Sequence, residues 1–460
     1  GREGVAVARL KVVYLSARRS SCTILEKSTD ILVGDTALYE PREAAPEETP
    51  EAARSRGRRS SPIRGRVGVQ FLSVNNRTAM QSDFDQPALN LRLSGHDLGG
   101  SGVGLDVDVR ARQTNRTRSD GSADDDSRTR VYRMAVDWSG ADVPVRITAG
   151  RQFQPAMASL SIFDGVSAAW SGRRWSAGVL TGSQPDSSDF GLSTDVKEHG
   201  AYFQYRRTGG EGGRLALTTG LVGSYEESEI NREYLYFQTI YTTRKLSLYL
   251  TEEIDFNRGW KKELGESSVD SSATYLNLRY RFTEGFSVRA GYDNRRNVRL
   301  YRDRETPETE FDDDYRTGVW AGTSYRFAGH YRVGADYRNS TGGTGGDSDQ
   351  VTGTFGVYGL TQRRIGAGLR LTHYASDLLE GDLISAYGSV NLSRAVRLQV
   401  TAGLREEQDS FDSGPQEETW YGLDLDWQLG RRWYVLGSWN RETGDLEEID
   451  NLYTALSFRF

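Results

Sequence analysis

One cysteine, Cys22, stands in 460 residues, beside only 10 prolines and 4 histidines. A single thiol excludes an intrachain disulfide and any multi-thiolate metal centre. His96, His199, His330 and His373 are scattered without ligand spacing, and Cys-x-x-Cys-His is absent. Neither haem nor zinc is expected, and no cofactor is. No apolar run reaches about 18 residues, which excludes a membrane-spanning helix. A strong charge of one sign is missing too: the formal net charge is −6, and no nucleic-acid partner is expected. No secretory leader is visible, and the chain begins GREGV without methionine. The expectation is a mature chain or a fragment whose leader is missing.

Glycine (51) and tyrosine (24) are plentiful. Aromatics at 11% argue against disorder, and the mixture suits many strands joined by turns. Three regions separate. Residues 1–40 hold two β-rich runs, 5–15 and 21–26, around a turn at Ala17–Arg19, then a turn at Val33, Gly34 and Asp35 leading into a short strand. This stretch resembles part of a small Src-homology-three-type β module of envelope proteins. The resemblance implies that the module's first half lies upstream of residue 1. Residues 41–64, "PREAAPEETPEAARSRGRRSSPIR", read as a solvated Pro/Glu/Arg linker. Its Arg54, Arg56, Arg58 and Arg59 are alternatively placed to touch anionic lipid or a pore mouth.

From Gly65 to Phe460, segments of about ten residues alternate apolar and polar. In "VGLDVDVRAR", Val103, Leu105, Val107 and Val109 face one way, and Asp106, Asp108, Arg110 and Arg112 the other. "IGAGLRLTH", "VRLQVTAGLR", "YGLDLDWQL" and "YRVGADYR" repeat the rule. The pattern predicts about 22 strands (range about 18–24) joined by alternating short and long connections. Short ones include 171–174, 282–285, 327–330 and 429–432. Long ones include 114–127 with Asp124, Asp125 and Asp126, then 183–196, 257–269, 297–314 with Asp312, Asp313 and Asp314, 340–350 and 406–416. Their acids suit divalent cations or lipopolysaccharide bridging, or simple solvation.

A soluble sandwich also alternates. Here the polar face is too charged on too many consecutive strands. Trp138, Trp170, Trp175, Trp427, Trp433 and Trp439 sit toward the ends of the apolar face, as in an interfacial girdle. A propeller would show a blade-length repeat, and none is present. The expected fold is all-β: a transmembrane antiparallel up-and-down barrel whose last strand pairs with the first, near Gly65–Asn75. The chain ends "NLYTALSFRF". Residues 65–460 resemble bacterial outer-membrane barrels in general, and the terminal strand resembles their insertion signal, carried by Tyr453, Leu456, Phe458 and Phe460. The resemblance implies outer-membrane lipid, lipopolysaccharide and the assembly machinery as partners, with the N-terminal region periplasmic.

With apolar residues toward lipid, the lumen is lined by Arg92, Arg110, Arg112, Arg133, Arg146, Arg206, Arg279, Arg281, Arg289, Arg326, Arg332, Arg338, Arg370, Arg397 and Arg405, with Asp106, Asp108, Asp137, Asp293, Asp336, Asp424 and Asp426. Arginine outnumbers acid on this face. Such a wall favours anions, or else the Arg and Asp pair across strands and hold the wall together. Connection 151–164, "RQFQPAMASLSIFD", is the least polar of the long ones; it either folds inward as a constriction or packs as an ordinary outer loop. No plug domain is visible after residue 65. No enzyme is expected: His373 lies on the apolar face, beside Ser385 only if register permits, and no nucleophile motif occurs. The sequons at Asn76 and Asn115 carry little meaning in such a barrel. The expected function is a porin-like channel for passive diffusion of small hydrophilic solutes with mild anion preference. The alternative is a conduit barrel filled by a periplasmic partner docked through residues 1–64.

Overall fold

The computed structural model describes residues 8–15, 20–27, 63–77, 83–118, 121–140, 143–209, 212–307, 310–312, 314–342, 346–361, 364–409, 414–445 and 448–460. Two strands, β1 (Ala8–Leu15) and β2 (Ser20–Lys27), pair as an antiparallel hairpin. The Src-homology-three-type reading is not sustained: among the described residues the first forty hold this hairpin alone. Two strands enclose no core of their own. Val33, Gly34, Asp35 and the linker arginines lie outside the described residues.

The remaining strands close into one barrel of 22. They are β3 (Arg64–Asn76), β4 (Asp83–Gly95), β5 (Val103–Thr117), β6 (Ala123–Ser139), β7 (Val145–Gln152), β8 (Phe163–Ser171), β9 (Trp175–Ser183), β10 (Val196–Thr208), β11 (Arg214–Glu226), β12 (Glu229–Thr242) and β13 (Leu246–Phe256). The circuit continues with β14 (Val269–Arg281), β15 (Phe286–Arg295), β16 (Arg316–Phe327), β17 (Tyr331–Thr341), β18 (Ser348–Leu360), β19 (Ile365–Ser376), β20 (Leu379–Asn391), β21 (Val396–Asp409), β22 (Pro415–Leu429), β23 (Trp433–Gly444) and β24 (Glu448–Arg459). Every neighbour is antiparallel and sequential, and β24 pairs with β3. No edge is left over, so every strand has partners on both sides, as a hydrocarbon surround requires.

Alternation decides which side chains meet lipid. Val67, Val69 and Phe71 on β3, Leu369 and Leu371 on β19, and Leu452 and Leu456 on β24 all point outward and are more than one-third exposed. Exposed apolar area on this scale is far beyond what a soluble surface carries. At the short-turn rim an aromatic chain runs Tyr280, Phe282, Phe286, Tyr325, Phe327, Tyr331 and Phe355, with successive ring centroids 4.7–6.4 Å apart. Trp138, Trp170, Trp175, Trp427 and Trp433 stand at the same ends of their strands. Trp439 departs from the expectation; it lies mid-strand on β23, facing lipid. A tight turn at this rim takes two left-handed residues, Ala328 (φ 47°) and Gly329 (φ 72°), whose twist matches that of the strands.

Several connections are shorter than the acid-rich sequence suggests. Strands β5 and β6 extend to Thr117 and from Ala123, so Asp124, Asp125 and Asp126 lie on β6. Arg118 pairs with Asp124 and Arg128 with Asp126, at 3.3 and 2.7 Å. Across the ladder Arg116 lies opposite Asp124, so strand pairing with opposite charge continues beyond the apolar band. At the long-loop rim β11 and β12 are joined by Glu227 and Ser228 alone, and β19 and β20 by 377–378. The strict alternation of short and long connections therefore fails at these places, and again between β23 and β24, joined by 445–447.

The seam is closed by reciprocal hydrogen bonds of 3.0 Å between Gly65 and Phe460 backbones. A Cβ on Gly65 would lie 2.3 Å from the Phe460 ring. Leu456, Phe458 and Phe460 face lipid, whereas Tyr453 turns inward with Ala455 and Ser457. Gly65→Val is therefore expected to destabilise the barrel by about 1–3 kcal/mol through overpacking at the seam. The urea midpoint of the heat-modifiable form in vesicles measures it; an unchanged midpoint contradicts this closure.

Candidate functional site

The lumen has two unlike sides. On one, connection 153–162 turns into the barrel instead of standing over it. Its residues, "FQPAMASLSI", carry no charge. Met157 (1% exposed), Leu160 and Phe163 are buried against Leu180, Tyr202, Val222, Tyr234 and Tyr236 on the inner faces of β9 to β12. Burying each such side chain contributes about 1.5–3 kcal/mol. Gly220 makes room: a Cβ there would lie 2.4 Å from the Met157 sulfur. The Ala158 amide donates to the Tyr236 hydroxyl at 3.3 Å. At the loop's base Arg151 holds Asp164 through two hydrogen bonds of 2.7 and 2.5 Å, and donates to the carbonyls of Val131, Phe190 and Gly191. Of the two readings left open by the sequence, the structure shows the inward one. The missed signal is on β12, where Leu235 and Phe237 face lipid while Tyr234 and Tyr236 face in. A strand apolar on both faces must be covered on both.

Above this filled side, a polar cap closes the long-loop rim. Arg232 reaches Asp255 and Glu253, each at 2.7 Å. The one-turn helix Trp260–Glu263 lies over the β11–β12 turn. Trp260 donates its indole N–H to the Ile230 carbonyl at 2.8 Å and packs edge-on to Tyr301. The Tyr301 amide donates to Asn231 at 2.9 Å. Arg258 grips Glu233 through bonds of 2.7 and 2.6 Å. Lys261 is 1% exposed.

The neighbouring sector, β14 to β19, is open and basic. Arg279, Arg289, Arg332, Arg338, Arg370 and Asp336 line a single cavity of about 850 Å³ with Asp293, Tyr275 and Trp320. Among the described residues Arg289 is the one of these arginines with an ion pair; it reaches across Gly322 to Asp336 at 2.7 Å. Elsewhere several inner arginines have acidic partners. Arg92 lies 3.6 Å from Asp108, Arg133 3.6 Å from Asp106 and Arg146 3.1 Å from Asp137. Arg405 pairs with Glu418 and Glu407. The remaining expected residues also sit on the inner face. Arg110 donates to Asn90 at 2.7 Å, Arg112 is opposite Arg128, and Arg206 is opposite Ala216. Arg397 donates to Gln399 at 3.0 Å, Asp426 lies opposite Arg397, and Asp424 accepts from Ser438 at 2.7 Å.

Register separates the residues weighed for catalysis. His373 faces outward opposite Asp382, 3.1 Å away, whereas Ser385 faces inward opposite Arg370. Among the described residues no group of three acidic, histidine or cysteine side chains is placed to hold a metal ion.

No protein-family model matches the chain, and no curated protein does. The fold is that of outer-membrane β-barrels. It is similar to the siderophore receptor PirA of Pseudomonas aeruginosa, at 11% identity over 86% of this chain and 80% of that one, with a TM-score of 0.52. A mutant of the ferric enterobactin receptor PfeA of the same organism is similar at 9% identity, over 87% and 81%, also with a TM-score of 0.52. OccK7 (OpdD) of that organism reaches a TM-score of 0.46 at 13% identity, over 87% and 98%.

The cap carries a pH dependence. Burial pushes the Lys261 amine down to about 8. An unfolded lysine titrates at about 10.4. Between these values the open loop holds a proton that the closed cap rejects, so closure strengthens as pH rises from about 8 to about 10 and is weakest below. A spin label at Leu264→Cys in a Cys22→Ser background should lose mobility across that window. Lys261→Met should hold the label immobile throughout; a pH response surviving in that variant would contradict the assignment.

Proposed function

We propose that the chain is a porin-like channel of the bacterial outer membrane, passing small hydrophilic solutes down their gradients with a preference for anions. The observation that carries this reading is the two-sided lumen. An uncharged loop fills one side down to mid-strand, and the other side is a wet wall with more arginine than acid. Twenty-two strands enclose more space than side chains alone occupy. A loop that packs on the wall narrows that space without sealing it, and fixed guanidinium groups along the remaining passage raise the local concentration of anions. His373 and Ser385 lie on opposite faces of the wall, which gives no support to hydrolytic chemistry.

Single-channel recording of the purified protein in a planar bilayer under a salt gradient tests the proposal. A steady current with an anion-leaning reversal potential is expected. Gly220→Leu, which displaces Met157 and loosens the inward loop, should raise the conductance. Arg279→Glu combined with Arg370→Glu should move the reversal potential toward cations. A folded protein that passes no current contradicts the channel and directs the search to a partner filling the barrel.

A further inference from the structure

The arginine distribution inside the barrel is uneven in a way that wall stability does not explain. On β4 to β7 Arg92 and Arg133 meet Asp108 and Asp106, and Arg110 and Arg112, which stand opposite Arg130 and Arg128, lie toward the rim. On β14 to β17 the inner arginines face each other: Arg279 is directly opposite Arg289, and Arg326 directly opposite Arg332. Like charges in such positions destabilise a sheet. Among the described residues no carboxylate lies within ion-pair distance of Arg279, Arg332, Arg338 or Arg370. Between them the wall is pared back to Gly322, Gly334, Ser324, Thr352, Thr354 and Thr372, which form the floor of the cavity. The stretch is a recess edged by unpaired guanidinium groups.

The recess also has a flat wall. Trp320 points inward and is half-buried. Its ring covers Gly291, where a Cβ would lie 2.0 Å from the indole, so glycine at 291 is what lets the ring lie against the barrel. Tyr275 lies beside it with ring centroids 5.7 Å apart, and the Arg338 guanidinium is 6.0 Å from the Trp320 ring centre. An indole in a wet, charged lumen is costly to hydrate unless something flat stacks on it. Resting on the channel reading above, we infer that this recess is a binding subsite for small aromatic polyanions: a flat ring bearing two or more acidic groups, stacked at Trp320 and held by Arg338, Arg370 and their neighbours. Neither feature alone specifies that class. The arginines select charge, and Trp320 with Tyr275 selects a planar body.

The test uses two probes of equal charge on the full-length folded protein. Trimesate is a benzene ring with three carboxylates; tricarballylate carries the same three on a flexible aliphatic chain. Titration calorimetry in detergent at fixed ionic strength reads binding directly, and block of single-channel current reads it in the pore. Trimesate should bind about tenfold more tightly than tricarballylate, the worth of one aromatic stacking contact. Trp320→Leu should bring the two within about twofold. Arg370→Gln should weaken both by a similar factor. Gly291→Ala, which lifts the indole off the wall, should reduce the preference as Trp320→Leu does and serves if that variant fails to fold. Equal affinities in the unaltered protein, or a preference that survives both ring variants, would overturn the subsite. A current without the preference removes the subsite and leaves the channel. Calorimetric preference with a silent bilayer removes the channel and leaves the subsite.

Discussion

Backbone hydrogen bonding in hydrocarbon governs everything else in this molecule. An unpaired N–H or C=O costs several kcal/mol in the bilayer core, so a strand there must have a partner on each side. The pairing of β24 with β3 removes the last two free edges. Once the sheet is closed, the two faces of every strand are assigned: one to lipid, the other to the lumen. The short aromatic-rich end of the chain, Phe458 to Phe460, stands where this closure is made.

Closure also creates a problem of space. A circumference of 22 strands encloses a wide lumen, and the chain deals with it asymmetrically. The two short strands β7 and β8 let the intervening loop start low, and its uncharged sequence finds an apolar inner wall on β9 to β12. The buried cluster there is a small core inside a membrane protein whose main apolar surface faces outward. The cap formed by Trp260, Tyr301, Arg232 and Asp255 extends the same filled sector to the rim. The next sector, β14 to β19, is left open, and there most of the arginines lose their acidic partners. Filling and charge are thus divided between two sides of one wall.

Much of this was legible in the sequence because the membrane makes alternation strict. Val103 to Val109 against Asp106 to Arg112 could be sorted into faces by parity alone, as could the arginines of β14 to β19. The inward loop was readable only as an alternative, since its lack of charge says that it must be buried but not where. The evidence for where lies on other strands, in Tyr234 and Tyr236, whose apolar side chains occupy lumen positions. The acidic stretch around Asp124 reads as loop because propensity disfavours aspartate in strands; the ladder with β5, which sets Arg116 opposite Asp124, overrode it. The division between paired and unpaired arginines was not legible at all. It depends on which residues face one another across strands, and one residue of slip would change every partner.

The passage exists only if each residue occupies the face of the wall assigned to it, and cysteine accessibility measures that directly. In a Cys22→Ser background, Arg332→Cys, Arg338→Cys and Thr352→Cys should react with a water-soluble, membrane-impermeant thiol reagent in intact vesicles. Val333→Cys, Tyr337→Cys and Val351→Cys, their neighbours on β17 and β18, should be shielded by lipid. Equal labelling of both sets, or labelling of the second set alone, would contradict the barrel's inside and outside, and with them the arginine-lined passage.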